Sequence, residues 1–402
     1  MEATEQPDEP AFQVYASFPR VVAFGVDLDL SPSNWDWVHC LEIPIDTLSK
    51  LNFSPRPYKW IRYAIGVVVG AEGDLSSCAH ELNVVDYDAV LPIESATLYY
   101  HTSDDERRRM FPLDPHMAPT NITSSASSPR KDDFRSAMAD RDGRCVLAEV
   151  TLMGCDAVHL LAHSKGDEYI SLYTERRSRD PAGDDIVREI DSIRNGILLN
   201  AITHRVLGKN VAFLPMPNFA MNTTDVDPSL PPGENRFTAH LFEPCELSLL
   251  VGRRPGSPIR VSDHKNWPPA ILFDAVYATT ILYHFGTTRV RVMIDKTWKN
   301  IFYEDGIMNR SQVEHKELID AQVQDKQKTE RQAQERNARL EHHERSNTSP
   351  FDLLMALPYI LVPQDELRAT FREAREKAEK EKQERLKEKV EAWNWQVISS
   401  GL

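Results

Sequence analysis

Apolar and polar residues change rhythm several times along this chain, and each rhythm predicts a different element. From Phe12 to about Tyr100 the apolar residues fall in short β-branched and aromatic runs separated by Pro, Asn, Asp and Ser. Residues 21–24, residues 65–69 ahead of a turn at 70–74, and residues 96–100 are such runs, and they predict a β-rich N-terminal region over 1–111. Trp35, Trp37 and Trp60 within it belong by type to a core rather than to a ligand-stacking surface. Residues 112–133 gather Pro112, Pro115, Pro119 and Pro129 around a Ser-rich tract at 124–128, which predicts a linker. Residues 134–140 read as a short helix, and apolar runs such as 270–277 give 221–309 a mixed α/β character.

Beyond Arg310 the pattern is almost wholly polar, which predicts a charged helix or disordered segment over 310–346. The region 347–402 opens on a helix start signal at Ser349, Pro350 and Asp352. It closes on Leu367, Phe371, Ala374, Ala378, Leu386, Val390 and Trp393, spaced three, four or eight apart on one helical stripe. Such a stripe packs in cis or forms a homo-oligomer through the C-terminal helix. Its polar face holds about as many Glu as Lys plus Arg, which argues against a membrane surface.

Composition narrows the class. The 402 residues, 41% hydrophobic and 27% charged, suit two or three globular domains. A net charge of −14 repels polyanions as a whole and argues against coating nucleic acid, although a local basic site is compatible with it. Five widely spread cysteines without a CxxC pair point to a reducing compartment. The first 20 residues lack a basic leader and an apolar run, and the longest apolar stretch, 351–362, is broken by Asp352 and Pro358. The expectation is a soluble intracellular protein of cytoplasm or nucleus.

No phosphate-binding GxxxxGK[ST], dinucleotide GxGxxG, nucleophile GxSxG or metal-binding HExxH pattern occurs. What stands out is the run from Cys155 through His159 to His163, followed by the run from Arg194 to His204. The first reads as a strand carrying His159. Asn195 and Gly196 signal a turn, residues 196–199 a second strand, and Asn200 the N-cap of a helix bearing His204. Each residue alone has an ordinary structural use. Strand, long loop, strand and helix, with His, Asn and His on successive parts, form a more specific pattern.

These residues resemble the HNH endonucleases of the ββα-metal type. The match lies in His159, in Asn195, and in a run similar to the family's NxLLLxxxxH that ends at His204, with Ile197 at the first Leu. The wider context, residues 141–145, 163–170 and 217–219, is similar to uncharacterised HNH-domain proteins of mushroom-forming fungi. The resemblance implies an α+β protein: a β-rich N-terminal region, a central ββα-metal domain at 134–220, and charged C-terminal helices. It implies that His159 activates water, that Asn195 orients its ring, and that His204 holds a divalent metal ion. A neutral imidazole with a pKa near 6.5 suits the first role.

Where many relatives carry a metal ligand just before the base, this chain has Val158, so His163, Asp156 or Asp191 is expected to supply the missing donor. Mg²⁺ or Mn²⁺ is the first expectation for the ion, Zn²⁺ or Ni²⁺ the alternative. Ala162 replaces a Pro frequent in relatives, and Cys145 and Cys155 read as buried, reduced core residues. The implied partner is nucleic acid, DNA first, with Arg176, Arg177, Arg179 and Arg194 as phosphate contacts. Residues 141–220 hold 10 Lys plus Arg against 11 Asp plus Glu, a net of −1, so most of the negative charge lies elsewhere. The expected function is a metal-dependent HNH endonuclease. The alternative is a catalytically degenerate HNH scaffold that assembles through its C-terminal helix.

Overall fold

Strand β1 (Ala11–Pro19) buries Phe12, Val14, Ala16 and Phe18 on one face, while Tyr15 on the other stacks between His39 and Tyr99. Covered on both faces, it takes the centre of its sheet. It pairs antiparallel with β2 (Trp35–Pro44) and parallel with β4 (Ala96–His101), and β3 (Asp74–Ser76) closes the order β2-β1-β4-β3. The computed structural model describes residues 9–20, 29–111, 113, 129–243, 254–261 and 265–302. The expected run at 21–24, the charged segment 310–346 and the stripe of 347–402 lie outside the described residues.

The run at 65–69, expected as a strand, is the end of a helix. After α1 (Ile45–Leu51), α2 (Pro57–Val69) starts with Pro57 in its first turn and ends at Gly70, whose φ of 76° gives the left-handed cap that glycine adopts without strain. Ten of its residues, from Pro57 to Val69, are buried. A helix covered nearly all round shows no polar face, so its sequence loses the 3.6-residue period and imitates a buried strand. Trp60 and Trp35 are core residues as expected, whereas Trp37 is half-buried, edge-on to Tyr99 and His101.

The described residues of 211–302 cover the same core from the other side. Strands β7 (Val211–Met216) and β8 (Arg236–Leu241) form a hairpin, under which α7 (Ala270–Phe285) lies almost wholly buried; α8 (Thr288–Phe302) follows it. Trp60 Nε1 donates to the Tyr277 hydroxyl at 2.7 Å and Tyr63 donates to Asp274 at 2.5 Å, joining α2 to α7. The Thr287 hydroxyl donates to the His39 carbonyl of β2. One apolar cluster runs without interruption from Phe12 to Ile294.

Between these parts, after α3 (Asp104–Arg109), lie α4 (Pro129–Asp142), β5 (Cys155–His159), α5 (Gly166–Arg177), β6 (Gly196–Asn200) and α6 (Ala201–Val206). The helix expected at 134–140 is thus longer and takes in residues 129–133 of the expected linker. The described fold is mixed α+β with small sheets. None of its helices is long and apolar enough to cross a membrane.

Candidate functional site

β5 and β6 pair antiparallel, with His159 opposite Gly196 and Cys155 opposite Asn200. Asn200 caps α6 as its sequence predicts: its side-chain oxygen accepts from the Thr203 amide at 2.8 Å. That cap sets the helix that carries His204. The whole unit hangs on a buried ion pair within the run 141–145, which the sequence marked as context for the resemblance without showing that its charges pair. Arg141 and Asp142, with side chains 2% and 0% exposed, pair through Nε at 2.7 Å and Nη2 at 2.9 Å. The guanidinium also donates to the carbonyls of Ile193, Gly196 and Asn266, and Asp142 accepts the Leu198 amide at 2.9 Å. A charge pair removed from water persists where every donor and acceptor is used in this way. It ties the end of α4 to the start of β6.

α4 also delivers Phe134, whose ring stacks on His159 with centroids 4.0 Å apart and planes at 6°. This approach requires Gly196. A Cβ there would stand 2.3 Å from Phe134 Cζ and 2.9 Å from Met138 Sδ. Gly196 is extended, with φ −140° and ψ 158°, so space and not turn geometry explains it.

The expected site residues fall into two groups. In the first, His159 Nε2 lies 3.0 Å from Asp191 Oδ1, and His163 Nε2 lies 3.5 Å from the same oxygen. The strand ends at His159, and His163 sits in a short 3₁₀ turn with its ring centroid 5.5 Å from that of His159. In the second group, His204 Nδ1 lies 2.9 Å from Asp156 Oδ2. Strand alternation puts Asp156 on the same face as Val158, which is itself buried at 1% exposure. Asp156 therefore presents a carboxylate two residues along from the position where relatives carry a ligand, and it does so to His204.

Asn195 is fully buried and acts on the main chain. Its side-chain oxygen accepts the Leu161 amide at 2.9 Å, while Nδ2 donates to the carbonyls of Leu161 at 3.1 Å and Ile190 at 2.8 Å. The carboxamide thus fixes the chain leaving His159 and the chain entering Asp191, where the resemblance implied a bond to the imidazole itself. Cys145 and Cys155 are buried free thiols, and burial pushes the Cys155 thiol pKa up.

The four arginines differ in what they touch. Arg177 turns inward, donating to the Phe111 and Val67 carbonyls at 2.9 Å each and lying over Tyr173. Arg179 grips both carboxylate oxygens of Glu106, and Arg194 donates to the carbonyls of Ile186 and Asp184. These three are committed to the protein, whereas Arg176 lies exposed near the end of α5. Arg176 and Arg177 end helix α5, and composition cannot tell an arginine that folds onto a carbonyl or carboxylate from a solvated one, which is why the sequence grouped all four together.

Residues 145–211 match the family model described as HNH endonuclease. The match begins at Cys145 and spans β5 with His159, the turn that ends at Asn195, β6, and α6 with His204. It gives this part of the chain a nuclease-type function in general terms, and with it nucleic-acid binding. No curated protein and no solved structure matches the chain.

HNH domains generally use a divalent metal ion. Among the described residues no three His, Cys, Asp or Glu side chains are grouped so as to enclose one. The donor set of Asp156 and His204 still fits an open site: one carboxylate oxygen and one imidazole nitrogen already face each other. A magnesium-like ion keeps several waters and binds through one or two protein groups plus substrate phosphate.

Proposed function

We propose that the chain is a metal-dependent HNH endonuclease hydrolysing phosphodiester bonds of DNA, with His159 taking the proton of the attacking water. The observation that carries this reading is the pair of separate carboxylate–imidazole contacts, His159 with Asp191 and His204 with Asp156, on one β5–β6–α6 unit. Hydrolysis needs two functions from the chain, a base and an anchor for charge neutralisation, and two distinct pairs supply them. Asp156 and His204 would hold the cation, which when bound offsets negative charge on the phosphate. His159, stacked on Phe134, offers a ring whose plane is fixed before substrate arrives. Arg176 is available to a phosphate from the surface of α5.

Divalent-dependent nicking of supercoiled plasmid, lost in His159→Ala, tests this reading. Nicking that survives His159→Ala, or none with Mg²⁺, Mn²⁺, Ni²⁺ or Zn²⁺, would overturn it. The second result, together with buried Val158, would favour the degenerate scaffold that binds partners without cutting.

A further inference from the structure

We propose that Asp191 is the positioning residue of His159: its carboxylate holds the ring in the tautomer protonated at Nε2, so that Nδ1 receives the water's proton. This rests on the reading of His159 as the base. It assigns Asp191 a role different from metal ligation, and the geometry supports that assignment on three sides.

First, Asp191 Oδ1 lies 3.0 Å from His159 Nε2 and 3.5 Å from His163 Nε2. A carboxylate oxygen only accepts, so the hydrogen bond at 3.0 Å has His159 Nε2–H as its donor, with His163 standing further off as an ion-pair neighbour. With Nε2–H donating, the neutral ring of His159 carries its lone pair on Nδ1. Second, the backbone beneath Asp191 is pinned. The Ile190 amide donates to Asp167 Oδ1 at 2.7 Å, and the Ile190 carbonyl accepts from Asn195 Nδ2 at 2.8 Å. The residue immediately before Asp191 is thus held at both its polar groups, and Asn195 in turn holds Leu161, two residues after His159. Base and carboxylate are registered to one another through a single buried carboxamide. Third, Phe134 fixes the ring plane by stacking, and within that plane a flip would replace Nε2 by the Cε1 edge and forfeit the Asp191 contact. When the water's proton reaches Nδ1, the resulting imidazolium sits against an anion, which stabilises the charge that forms.

The experiment uses the full chain labelled with ¹⁵N. Two-bond ¹H–¹⁵N correlations, with His159 assigned by its loss in His159→Ala, report which nitrogen carries the proton at neutral pH. The Nε2–H form is expected to dominate in the wild type and to give way to a mixture in Asp191→Ala. Asp191→Asn, which keeps an acceptor oxygen, retains more of that form. In parallel, Asp191→Ala lowers kcat for plasmid nicking by roughly 10–100-fold, at unchanged KM and unchanged Mn²⁺ concentration for half-maximal rate. A dominant Nδ1–H form in the wild type overturns the proposal. So does an Asp191→Ala variant whose main defect is a raised Mn²⁺ requirement, because that is the behaviour of a ligand. A wild type that cuts nothing defeats the nuclease reading instead, and the tautomer measurement still decides this one.

Discussion

Gly196 stands directly across the β5–β6 ladder from His159, and it is the missing side chain of Gly196 that lets Phe134 lie on that imidazole. The sequence offers Asn195-Gly196 as a turn signal, but the glycine serves contact between a helix and a hairpin.

Gly196→Ala is therefore expected to push Phe134 away rather than to strain the backbone. The ring and Met138 Sδ both lie within 3.0 Å of the added methyl. Overpacking of this kind costs about 1–3 kcal/mol. Thermal unfolding should show a lower melting temperature, and nicking should fall with it. Phe134→Ala relieves the tighter of the two contacts, so the double variant should be less destabilised than the two single losses added together, while its activity stays low. Equal stability of wild type and Gly196→Ala would show that α4 does not pack as described.

The Arg141–Asp142 pair gives a stability prediction independent of chemistry. Arg141→Met leaves the Asp142 carboxylate buried beside the Leu198 amide with its cation gone, and frees three carbonyls that the guanidinium caps. Breaking one partner of a buried pair costs about 3–5 kcal/mol. Chemical denaturation of Arg141→Met should show a loss of that order. The surface pair Arg20–Asp36, half-exposed on both sides, should give a loss within about 1 kcal/mol when cut.

Two buried groups make opposite contributions to acid stability. His240 stacks on Phe53 with its Nδ1 2.7 Å from the Tyr277 hydroxyl, and burial pushes its pKa down to about 3. Between that value and 6.5 the unfolded ring holds a proton that the folded one does not, so stability falls as pH falls. Burial raises Asp274 to about 6 from 3.8, against the lowering effect of the Tyr63 hydroxyl. Between 3.8 and 6 the folded carboxyl keeps a proton that the unfolded chain has released, so stability rises as pH falls. The two slopes, each about 1.4 kcal/mol per pH unit at most, largely cancel over that window. Asp274→Asn should expose the His240 slope and make urea midpoints drop more steeply from pH 6 to pH 4. His240→Gln should flatten or reverse the acid side. Midpoint curves parallel to the wild type in both variants would refute the pairing.

How much of this was legible in the sequence depends on how local the cause is. The second strand, the Asn200 cap and the placement of His204 rest on residues within a few positions of one another, and all three can be read from spacing. The helix at 57–69 was not legible, because burial by β1, β4 and α7 erases the polar face that would have marked it. Asp191 was expected in the site as a metal donor, but its direct contact with His159 was not legible: 32 residues separate them, and the loop that returns Asp191 is closed by Asp167 and Asn195. Arg141 and Asp142 stood out only as part of the run 141–145 that carries the resemblance, not as a clamp. Only the carbonyls it reaches, up to 125 residues away, reveal its use.

If Asp156 and His204 form an open cation site, metal binding must stabilise the folded chain, because an ion bound only to the native state shifts its unfolding equilibrium by mass action. At 100 times its dissociation constant an ion adds about 2.7 kcal/mol. Mn²⁺ is therefore expected to raise the melting temperature of the wild type, and the rise should vanish in Asp156→Ala and in His204→Ala. The discriminating variant is His159→Ala, which removes the base but neither donor. It should keep the full Mn²⁺ shift while losing cleavage. Loss of the shift in His159→Ala, with retention in Asp156→Ala, would move the cation to the Asp191 side and exchange the roles of the two pairs. The hydrogen bond between His204 Nδ1 and Asp156 Oδ2 argues for the first outcome, since it brings nitrogen and oxygen donors together on the face of β5 where Val158 leaves none.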